Sequence, residues 1–311
     1  MSNTNITNID TTKITQSTTA NTDVLNRYLF NDMHVRGELV QLSESYQSII
    51  KNHNYPVAVR LLLGELMAAT CLLSATLKFE GEITVQLQGD GPIGYMSVNG
   101  DNNQKMRGIA KLKPGQTDTK ANSLNELIGK GTMVITIRPN KGEAYQGVAA
   151  LEQATLAGCL AHYFEVSEQI PTKIWLYSDD DKQQVAGSLV QLLPDGDGSS
   201  ENLTKQESDF EHIAQLTNTI KADEIFSLEA EALLFRLYHQ EKVSLFSPQA
   251  VSYQCGCSSD KCLGAISQIE PNEIESILAE QSKISMTCDY CLTTYDFFYD
   301  DLKSFISKDK H

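Results

Sequence analysis

Four of the seven cysteines lie close together near the C-terminus, as a CxC pair, Cys255 and Cys257, and a CxxC pair, Cys288 and Cys291. Thirty residues separate the two pairs. Two short turns that each carry two thiolates can form a closed tetrahedral site, and a donor set made only of sulfur selects zinc over harder cations. We therefore predict one zinc ion held by these four thiolates in the reduced protein.

The charge and composition of the chain restrict its partners. Its 311 residues carry a formal net charge of −15, which disfavours nucleic acid or an anionic membrane as a partner. The first 22 residues are rich in Thr and Asn without an apolar segment, so we expect no signal peptide, and no later stretch is expected to reach transmembrane length. These features predict a cytoplasmic protein, in which clustered cysteines bind a metal or react with oxidants.

Shifts in composition predict four regions, and mixed helix and strand patterns predict an α+β fold. The small C-terminal region surrounds the clustered cysteines, and an acidic break with Pro, Gly and Ser precedes it and begins a linker. The predicted regions are a disordered N-terminal extension (1–23), an N-terminal α+β core domain (24–194), a helical, metastable linker (195–250) and a zinc-binding redox-switch domain (251–311).

Hydrophobic periodicity places the main elements. A long apolar run predicts a helix from Arg60 to Leu77, and two apolar faces predict linker helices. Strands are predicted at Glu82–Leu87, Tyr95–Val98, Met133–Ile137, Thr172–Tyr177, Ile284–Thr287 and Thr294–Tyr299, and further helices at Thr155–Glu165, Phe210–Ile220, Leu228–Tyr238, Cys262–Ile269, Asn272–Glu280 and Leu302–Ile306.

Two glycine-rich segments imitate nucleotide-binding motifs. Gly89–Gly94 matches GxGxxG, but Pro92 and the alternating residues that follow predict a turn into a second strand, hence a hairpin. Gly129-Lys130-Gly131 lacks the hydroxyl residue that a phosphate loop places after its lysine. The six histidines are scattered without catalytic partners, so we do not expect an enzyme.

The remaining cysteines are assigned to packing. Cys71 and Cys159 fall inside apolar helical patterns, where a thiol behaves as a small buried hydrophobe. Cys262 shares a helical face with Ile266 and Ile269, which favours packing, with a redox role as the alternative.

The cysteine cluster also predicts a conditional domain. Zinc keeps its ligands as thiolates, which are the form that oxidants attack. A structural zinc site contributes about 10 to 16 kcal/mol of folding free energy, whereas a core as small as this one supplies about 3 to 5 kcal/mol. Oxidation is therefore expected to unfold the C-terminal domain, although a permanent structural zinc site remains the alternative.

Several segments resemble the redox-regulated 33 kDa heat-shock chaperone family, also called the 33 kDa chaperonin, from about residue 24 to the C-terminus. Besides the spacing of the cysteines, the segments that carry the resemblance are Arg27-Tyr28-Leu29-Phe30, Val35-Arg36-Gly37-Glu38-Leu39, Gln86-Leu87-Gln88-Gly89-Asp90-Gly91-Pro92, Tyr145-Gln146-Gly147, Ser167-Glu168-Gln169-Ile170-Pro171-Thr172 and Arg236-Leu237-Tyr238-His239. The Thr and Asn rich extension falls outside it.

The resemblance implies a holdase that does not use ATP and is inactive while reduced and zinc-bound. Under oxidative stress it implies disulfides between Cys255 and Cys257 and between Cys288 and Cys291, a pairing that closeness in the sequence also favours. It further implies that the linker helices rest on the N-terminal domain until the switch opens. The oxidised form would then be a homodimer that binds unfolding client proteins.

Two other functions remain open at this point. A CxxC pair also serves thiol-disulfide oxidoreductases, but the residues after Cys291 predict a strand and not the helix that would lower a thiol pKa. A static zinc-stabilised interaction protein would keep its fold after oxidation. The clients, the oxidant and the role of the extension are not predicted.

Overall fold

Helices and strands are mixed along the chain in the computed structural model, which confirms the predicted α+β class. The structure describes residues 6–8, 22–76, 80–116, 120–193 and 200–306, with only the backbone described at 6–8 and 200–202. The chain divides into two units, Met1–Tyr253 and Gln254–His311.

In the first unit the described strands β1–β13 are Ile6–Asn8, Val24–Phe30, Val35–Leu42, Gly81–Gly89, Ile93–Asp101, Lys105–Leu112, Gly131–Pro139, Tyr145–Ala150, Thr172–Asp179, Gln184–Leu192, Val243–Phe246, Gln249–Ala250 and Ser252–Tyr253. The described helices α1–α7 are Glu44–Ile50, Val57–Thr76, Leu124–Ile128, Leu156–Tyr163, Ser200–Thr217, Ala222–Ser227 and Ala230–Tyr238, with a π-helical turn at Phe164–Glu168. The second unit contains α8 (Ser259–Ile266), α9 (Pro271–Gln281), β14 (Ile284–Thr287), β15 (Thr294–Phe297) and α10 (Tyr299–Ile306).

Two sheets enclose α2 in the first unit. One sheet has the order β1-β11-β2-β3-β10-β9, with β12 also paired to β2, and the other has the order β13-β6-β5-β4-β7-β8. Apolar residues of α2, such as Leu63, Leu66 and Leu72, join one buried core with Val40 of the first sheet and Val85 of the second. A helix buried between two sheets needs apolar residues around its whole circumference, which explains the uninterrupted apolar run in its sequence.

The expectation that no stretch reaches transmembrane length was wrong for α2. Among the described residues this helix alone is long and apolar enough to cross a membrane, with a hydropathy of 1.7. Its most apolar window is 72% buried inside the first unit. The apolar run therefore forms the central core helix of that unit.

Both faces of the first sheet are covered. Along β3, Val40 and Leu42 point into the core around α2, while Val35 and Leu39 join a second buried cluster on the opposite face. Residues of α5, α6 and α7 complete that second cluster. Since successive side chains of a strand point to opposite faces, a strand covered on both sides is buried on both faces and does not alternate between apolar and polar residues. This explains why the sequence pattern did not identify β3.

The predicted hairpin at Gly89–Gly94 is confirmed. The strands β4 and β5 pair antiparallel from Glu82 opposite Asp101 to Gln88 opposite Tyr95. A side chain at Gly91 would meet the backbone carbonyl carbon of Ile128 at 2.6 Å, so this turn requires glycine because another backbone segment approaches it closely.

The structure extends or divides several other predicted elements. The long helix begins at Val57, three residues before the prediction, and is described as far as Thr76; Leu77 lies outside the described residues. The second predicted linker helix corresponds to α7, which begins at Ala230 because the backbone at Leu228 is extended, and the short helix α6 before it was not predicted. Of the predicted extension, residues 1–5 and 9–21 lie outside the described residues, as do residues 194–199 at the predicted domain break. The four predicted regions remain predictions.

A buried carboxyl group on β3 makes the stability of the first unit depend on pH. Glu38 is 1% exposed, and its Oε2 atom has no hydrogen-bond partner among the described residues. Burial raises the pKa of Glu38 from 4.5 to about 7, and the guanidinium groups of Arg36 and Arg27 oppose this rise only in part. The neutral carboxyl therefore stabilises the fold below about pH 4.5, and this contribution is lost as the pH rises through about 7.

Between pH 5 and pH 8, the free energy of unfolding of the unsubstituted protein is expected to fall by about 1 to 3 kcal/mol more than that of the Glu38→Gln variant. Urea unfolding followed by the fluorescence of Trp175, the single tryptophan, measures this difference. Glu82→Gln, at an exposed position of β4, is the matched control. If the free energy of unfolding depends on pH equally in the Glu38→Gln variant and the unsubstituted protein, the pH dependence does not come from Glu38.

Candidate functional site

The second unit places its two cysteine pairs on two short turns. Cys255 and Cys257 precede α8, and Gly256 between them has a φ of +69°, a conformation that glycine adopts without strain. Cys288 and Cys291 occupy the turn between β14 and β15. Within that turn the Leu292 amide donates to the Cys288 carbonyl and the Cys288 amide donates to the Thr293 carbonyl, each at 2.9 Å. The strand pairing thus fixes the second turn.

The four sulfur atoms converge. All four lie within 4.8 Å of one another, and each cysteine is half-buried. The Sγ atoms of Cys255 and Cys288 are 3.5 Å apart, as are those of Cys257 and Cys291. Zinc–sulfur bonds of about 2.3 Å in a tetrahedron require sulfur separations of about 3.8 Å, so the donor type, number and spacing fit zinc. None of the seven cysteines forms a disulfide bond.

Hydrogen bonds to two of the sulfurs influence how readily the cysteine thiols ionise. The Tyr295 hydroxyl lies 3.2 Å from Cys257 Sγ, and the Thr293 hydroxyl lies 3.2 Å from Cys291 Sγ. Burial opposes ionisation of Cys291, but the hydroxyl and amide of Thr293 and the neighbouring thiols lower its pKa to about 6. Burial raises the pKa of Cys255 to about 12. Cys291 is therefore the thiol that ionises most readily of these two.

Removal of the Tyr295 hydroxyl is expected to weaken metal binding and expose Cys257 to oxidant. A group that hydrogen-bonds a metal ligand typically contributes a factor of about 10 to 100 in affinity. We expect Tyr295→Phe to lower the zinc affinity about 10-fold and to speed peroxide-driven zinc release. Competition with a colorimetric chelator measures both, and Tyr299→Phe, an exposed tyrosine of the same unit, is the control. Unchanged affinity and unchanged release would show that the hydroxyl contributes nothing.

The apolar core of the second unit is small. Its buried residues are Ile266, Ile274, Ile284, Phe297 and Leu302. Cys262 packs against this core, which confirms its predicted packing role, and it does not belong to the cluster of four sulfurs. A core of this size supplies only about 3 to 5 kcal/mol, so this unit depends on a further stabilising element. Cys71 and Cys159, as predicted, are buried in the first unit.

The linker helices dock on the first sheet through an apolar cluster. Phe210 and Ile213 of α5, Ile225 of α6, and Leu233 and Leu234 of α7 are all buried there. Opposite them lie the sheet residues that share the cluster, which are Tyr28, Phe30, Val35, Leu39, Ala186, Val190 and Val243. The apolar faces predicted for the linker helices therefore pack on the N-terminal sheet.

Polar contacts position the same helices, and sequence reasoning missed them. The buried Gln41 amide on β3 donates to the carbonyl of Ile225 in α6 at 2.6 Å and to the carbonyl of Leu228, between α6 and α7, at 2.8 Å. The hydroxyls of Thr217 and Tyr238 lie 2.7 Å apart in the buried cluster. Gln41 is buried, and a buried amide requires partners, but the sequence does not identify which carbonyls accept from it.

Comparison with known proteins agrees with this architecture. The family model described as Hsp33 protein matches residues 23–298. The 33 kDa chaperonin of Colwellia psychrerythraea is 73% identical over 289 residues, covering 93% of this chain and 99% of the relative. That of Aliivibrio salmonicida is 53% identical over 277 residues, covering 88% and 92% of the two chains. The crystal structure of the 33 kDa chaperonin from Thermotoga maritima shares the fold, with a TM-score of 0.76 at 22% identity over 91% of this chain and 98% of that one.

The fold and the site together define a two-unit α+β protein with a C-terminal module in which four clustered cysteines could hold a metal ion. The matched residues span most of the chain, and the identities far exceed those of unrelated proteins. The chain belongs to the Hsp33 family. Membership in this chaperone family, together with the cluster of four cysteines, supports a redox-regulated chaperone.

Proposed function

We propose that this protein is an ATP-independent holdase that binds unfolding proteins when its four clustered cysteines are oxidised. The observation that carries the proposal is the docking of the linker helices. Their apolar faces are buried against the first sheet, so release of the helices would expose apolar surface on both partners. Family membership supports the chaperone class, and we propose no enzymatic activity for the chain.

In the resting state, the thiolates of Cys255, Cys257, Cys288 and Cys291 hold one zinc ion. The fit of the four sulfurs to a tetrahedron supports this assignment. When bound, the ion supplies about 10 to 16 kcal/mol of binding free energy, which greatly exceeds what the small core of the second unit contributes. The fold of residues 254–311 therefore depends on four intact thiolates.

Oxidation removes those thiolates. Each equivalent of hydrogen peroxide takes two electrons from two thiolates and two protons from the solvent, forms one sulfur–sulfur bond and yields two water molecules, so two equivalents convert all four cysteines. We propose the pairs Cys255 with Cys257 and Cys288 with Cys291, each within one turn. The closest sulfurs are instead Cys255 with Cys288 and Cys257 with Cys291, at 3.5 Å, so peptide mapping must distinguish the two pairings.

Loss of order at Cys255 reaches the linker through a short segment. The strands β12 and β13, which directly precede the second unit, have only two residues each and pair with β2 and β6. Such short pairings are weak unless the adjoining chain is also ordered. We propose that unfolding of the second unit releases this segment and then the linker helices that precede it, under conditions that already loosen the fold.

The released surfaces suit an unfolding client. On the sheet, Tyr28 and Phe30 are each 1% exposed while the linker is docked, and they would become accessible together with Leu39. Aromatic and aliphatic groups of this kind bind the apolar segments that an unfolding protein exposes. We propose that the same apolar faces form a homodimer in the oxidised state. We also propose that the protein works in the cytoplasm.

The geometry gives no support to a thiol-disulfide oxidoreductase. That chemistry uses a CxxC pair at a helix N-terminus, where the helix dipole lowers a thiol pKa. Here Cys288 and Cys291 lie in the turn between two antiparallel strands, β14 and β15. A static zinc-stabilised module differs from the proposal in one respect, because its linker would stay docked after oxidation.

Light scattering of a heat-unfolding client tests the proposal. The reduced, zinc-loaded protein is expected to leave aggregation unchanged, whereas protein oxidised by peroxide at a mildly elevated temperature is expected to suppress it at about equimolar ratio. Oxidised protein that is returned to the reduced, zinc-loaded form is the control for irreversible damage. Equal behaviour of the reduced and oxidised forms, with zinc retained, would refute the proposed switch.

A further inference from the structure

The N-terminal extension, whose role the sequence leaves open, supplies a strand to the edge of the first sheet. We propose that residues 6–8 form an intramolecular clamp on β11 that holds the linker in its docked position. The pairing itself is independent of the proposed chaperone function, and only its effect on client binding rests on that function.

The clamp is an antiparallel strand pair. Ile6 lies opposite Phe246, Thr7 opposite Leu245 and Asn8 opposite Ser244. On its other side β11 pairs with β2, from Val243 opposite Phe30 to Leu245 opposite Tyr28. The strand β11 is therefore internal in the sheet because β1 is present. Without β1 its outer backbone groups would form a free edge, which loses hydrogen bonds and can accept other chains.

The strand β11 belongs to the same core as the linker helices. Val243 is 5% exposed and lies in the buried cluster that contains Leu233, Leu234 and Leu237 of α7, and Leu245 packs against that cluster. A change that loosens β11 therefore removes part of the surface on which α7 is packed. In consequence, hydrogen bonds from β1 to β11 also stabilise the docked linker.

Polar contacts connect the turn before β11 to the linker and to the sheet. A ring nitrogen of His212 on α5 lies 2.9 Å from a carboxylate oxygen of Glu241 in this turn. The Asn31 amide donates to the Lys242 carbonyl at 2.9 Å, and the Lys242 ammonium lies 2.8 Å from the Asp32 carboxylate. The start of β11 is thus attached to α5 and to the turn between β2 and β3, so its position is coupled to both.

The chain length between the strands permits the clamp. Because β1 and β2 both run antiparallel to β11, they are parallel to each other, and the connection from Asn8 to Val24 contains 15 residues. Parallel strands of one sheet need a connection of about a dozen residues or more. The family model matches residues 23–298, so the clamp lies outside the matched residues.

Hydrogen exchange of the reduced, zinc-loaded full chain tests the clamp. Neighbouring residues of a strand direct their N–H groups to opposite sides, so the double variant Ile6→Pro with Thr7→Pro removes a donor to β11 whichever residue faces it. We expect the β11 amides that face β1 to exchange at least 10-fold faster in this variant. The matched control, Ile6→Val with Thr7→Val, keeps both donors and is expected to exchange like the unsubstituted protein.

Equal exchange in all three proteins would overturn the clamp. Protection that grows with protein concentration would also overturn it, because the strand would then come from a second copy. In the client assay, the proline variant is expected to reach half-maximal holding after a shorter exposure to peroxide and warmth. Faster exchange together with an unchanged exposure time for half-maximal holding would overturn the regulatory role of the clamp. Faster exchange in a protein that never holds a client would instead refute the proposed function while the pairing stands.

Discussion

Cys257→Ser is expected to lose its zinc and with it the ordered structure of residues 254–311. The serine oxygen replaces one of four convergent sulfurs, and the three remaining thiolates form an incomplete site. Because the core of this unit supplies only about 3 to 5 kcal/mol, loss of a contribution of about 10 kcal/mol or more unfolds it. Zinc per chain, together with hydrogen exchange across β14 and β15, measures the effect.

Cys262→Ser is the matched control for this prediction. Cys262 lies in the same unit and packs against its core, but its sulfur is outside the cluster of four. We expect this variant to keep about one zinc ion per chain, like the unsubstituted protein, with at most a modest loss of stability. A Cys257→Ser protein that retains a full complement of zinc would contradict the assignment of the ligands.

Leu234→Ala is expected to undock the linker without oxidation. Leu234 on α7 is 1% exposed and lies in the cluster between the linker helices and the sheet. Truncation of a buried leucine to alanine costs about 2 to 5 kcal/mol, which raises the population of the undocked state by a factor of about 30 or more. The reduced protein is then expected to hold client and to be cleaved by trypsin at Arg236 at least 10-fold faster.

Leu203→Ala separates this effect from a general change in the linker. Leu203 lies on α5 in the same linker but is 50% exposed, so its truncation leaves no cavity. We expect its proteolysis and holding to match those of the unsubstituted protein, and zinc content to be unchanged in both variants. Fast proteolysis at Arg236 without holding by the reduced Leu234→Ala protein would show that linker docking does not control activity.

Local sequence features predicted several parts of the structure. The hairpin at Gly89–Gly94 was predictable because turn residues act over a few positions, and α2 was predictable because it lies in one uninterrupted apolar run. The cysteine cluster is a similar case, since sulfur donors within each pair are only two or three residues apart. Each of these predictions depends on residues that are neighbours in the chain.

Other features depend on residues that are distant in the chain. The strand β3 escaped prediction because its two faces are covered by different parts of the protein, which removes the alternation that identifies a strand. The pairing of β3 with β10 joins residues about 150 positions apart, from Val35 opposite Leu192 to Leu42 opposite Val185. The Gln41 contact with the Ile225 carbonyl spans 184 positions. No local pattern encodes such partners.

The sequence by itself determined the four-sulfur donor set of the cysteine cluster, the α+β class, the apolar faces of the linker helices and the resemblance to the family. Only the tertiary structure decided what those faces pack against, which carbonyls accept hydrogen bonds from Gln41 and that residues 6–8 extend the sheet beside β11. The physical reason is that donor type, turn residues and periodicity act over a few residues. The choice of a packing partner, in contrast, depends on the free energy of burying two surfaces that only the complete fold brings together.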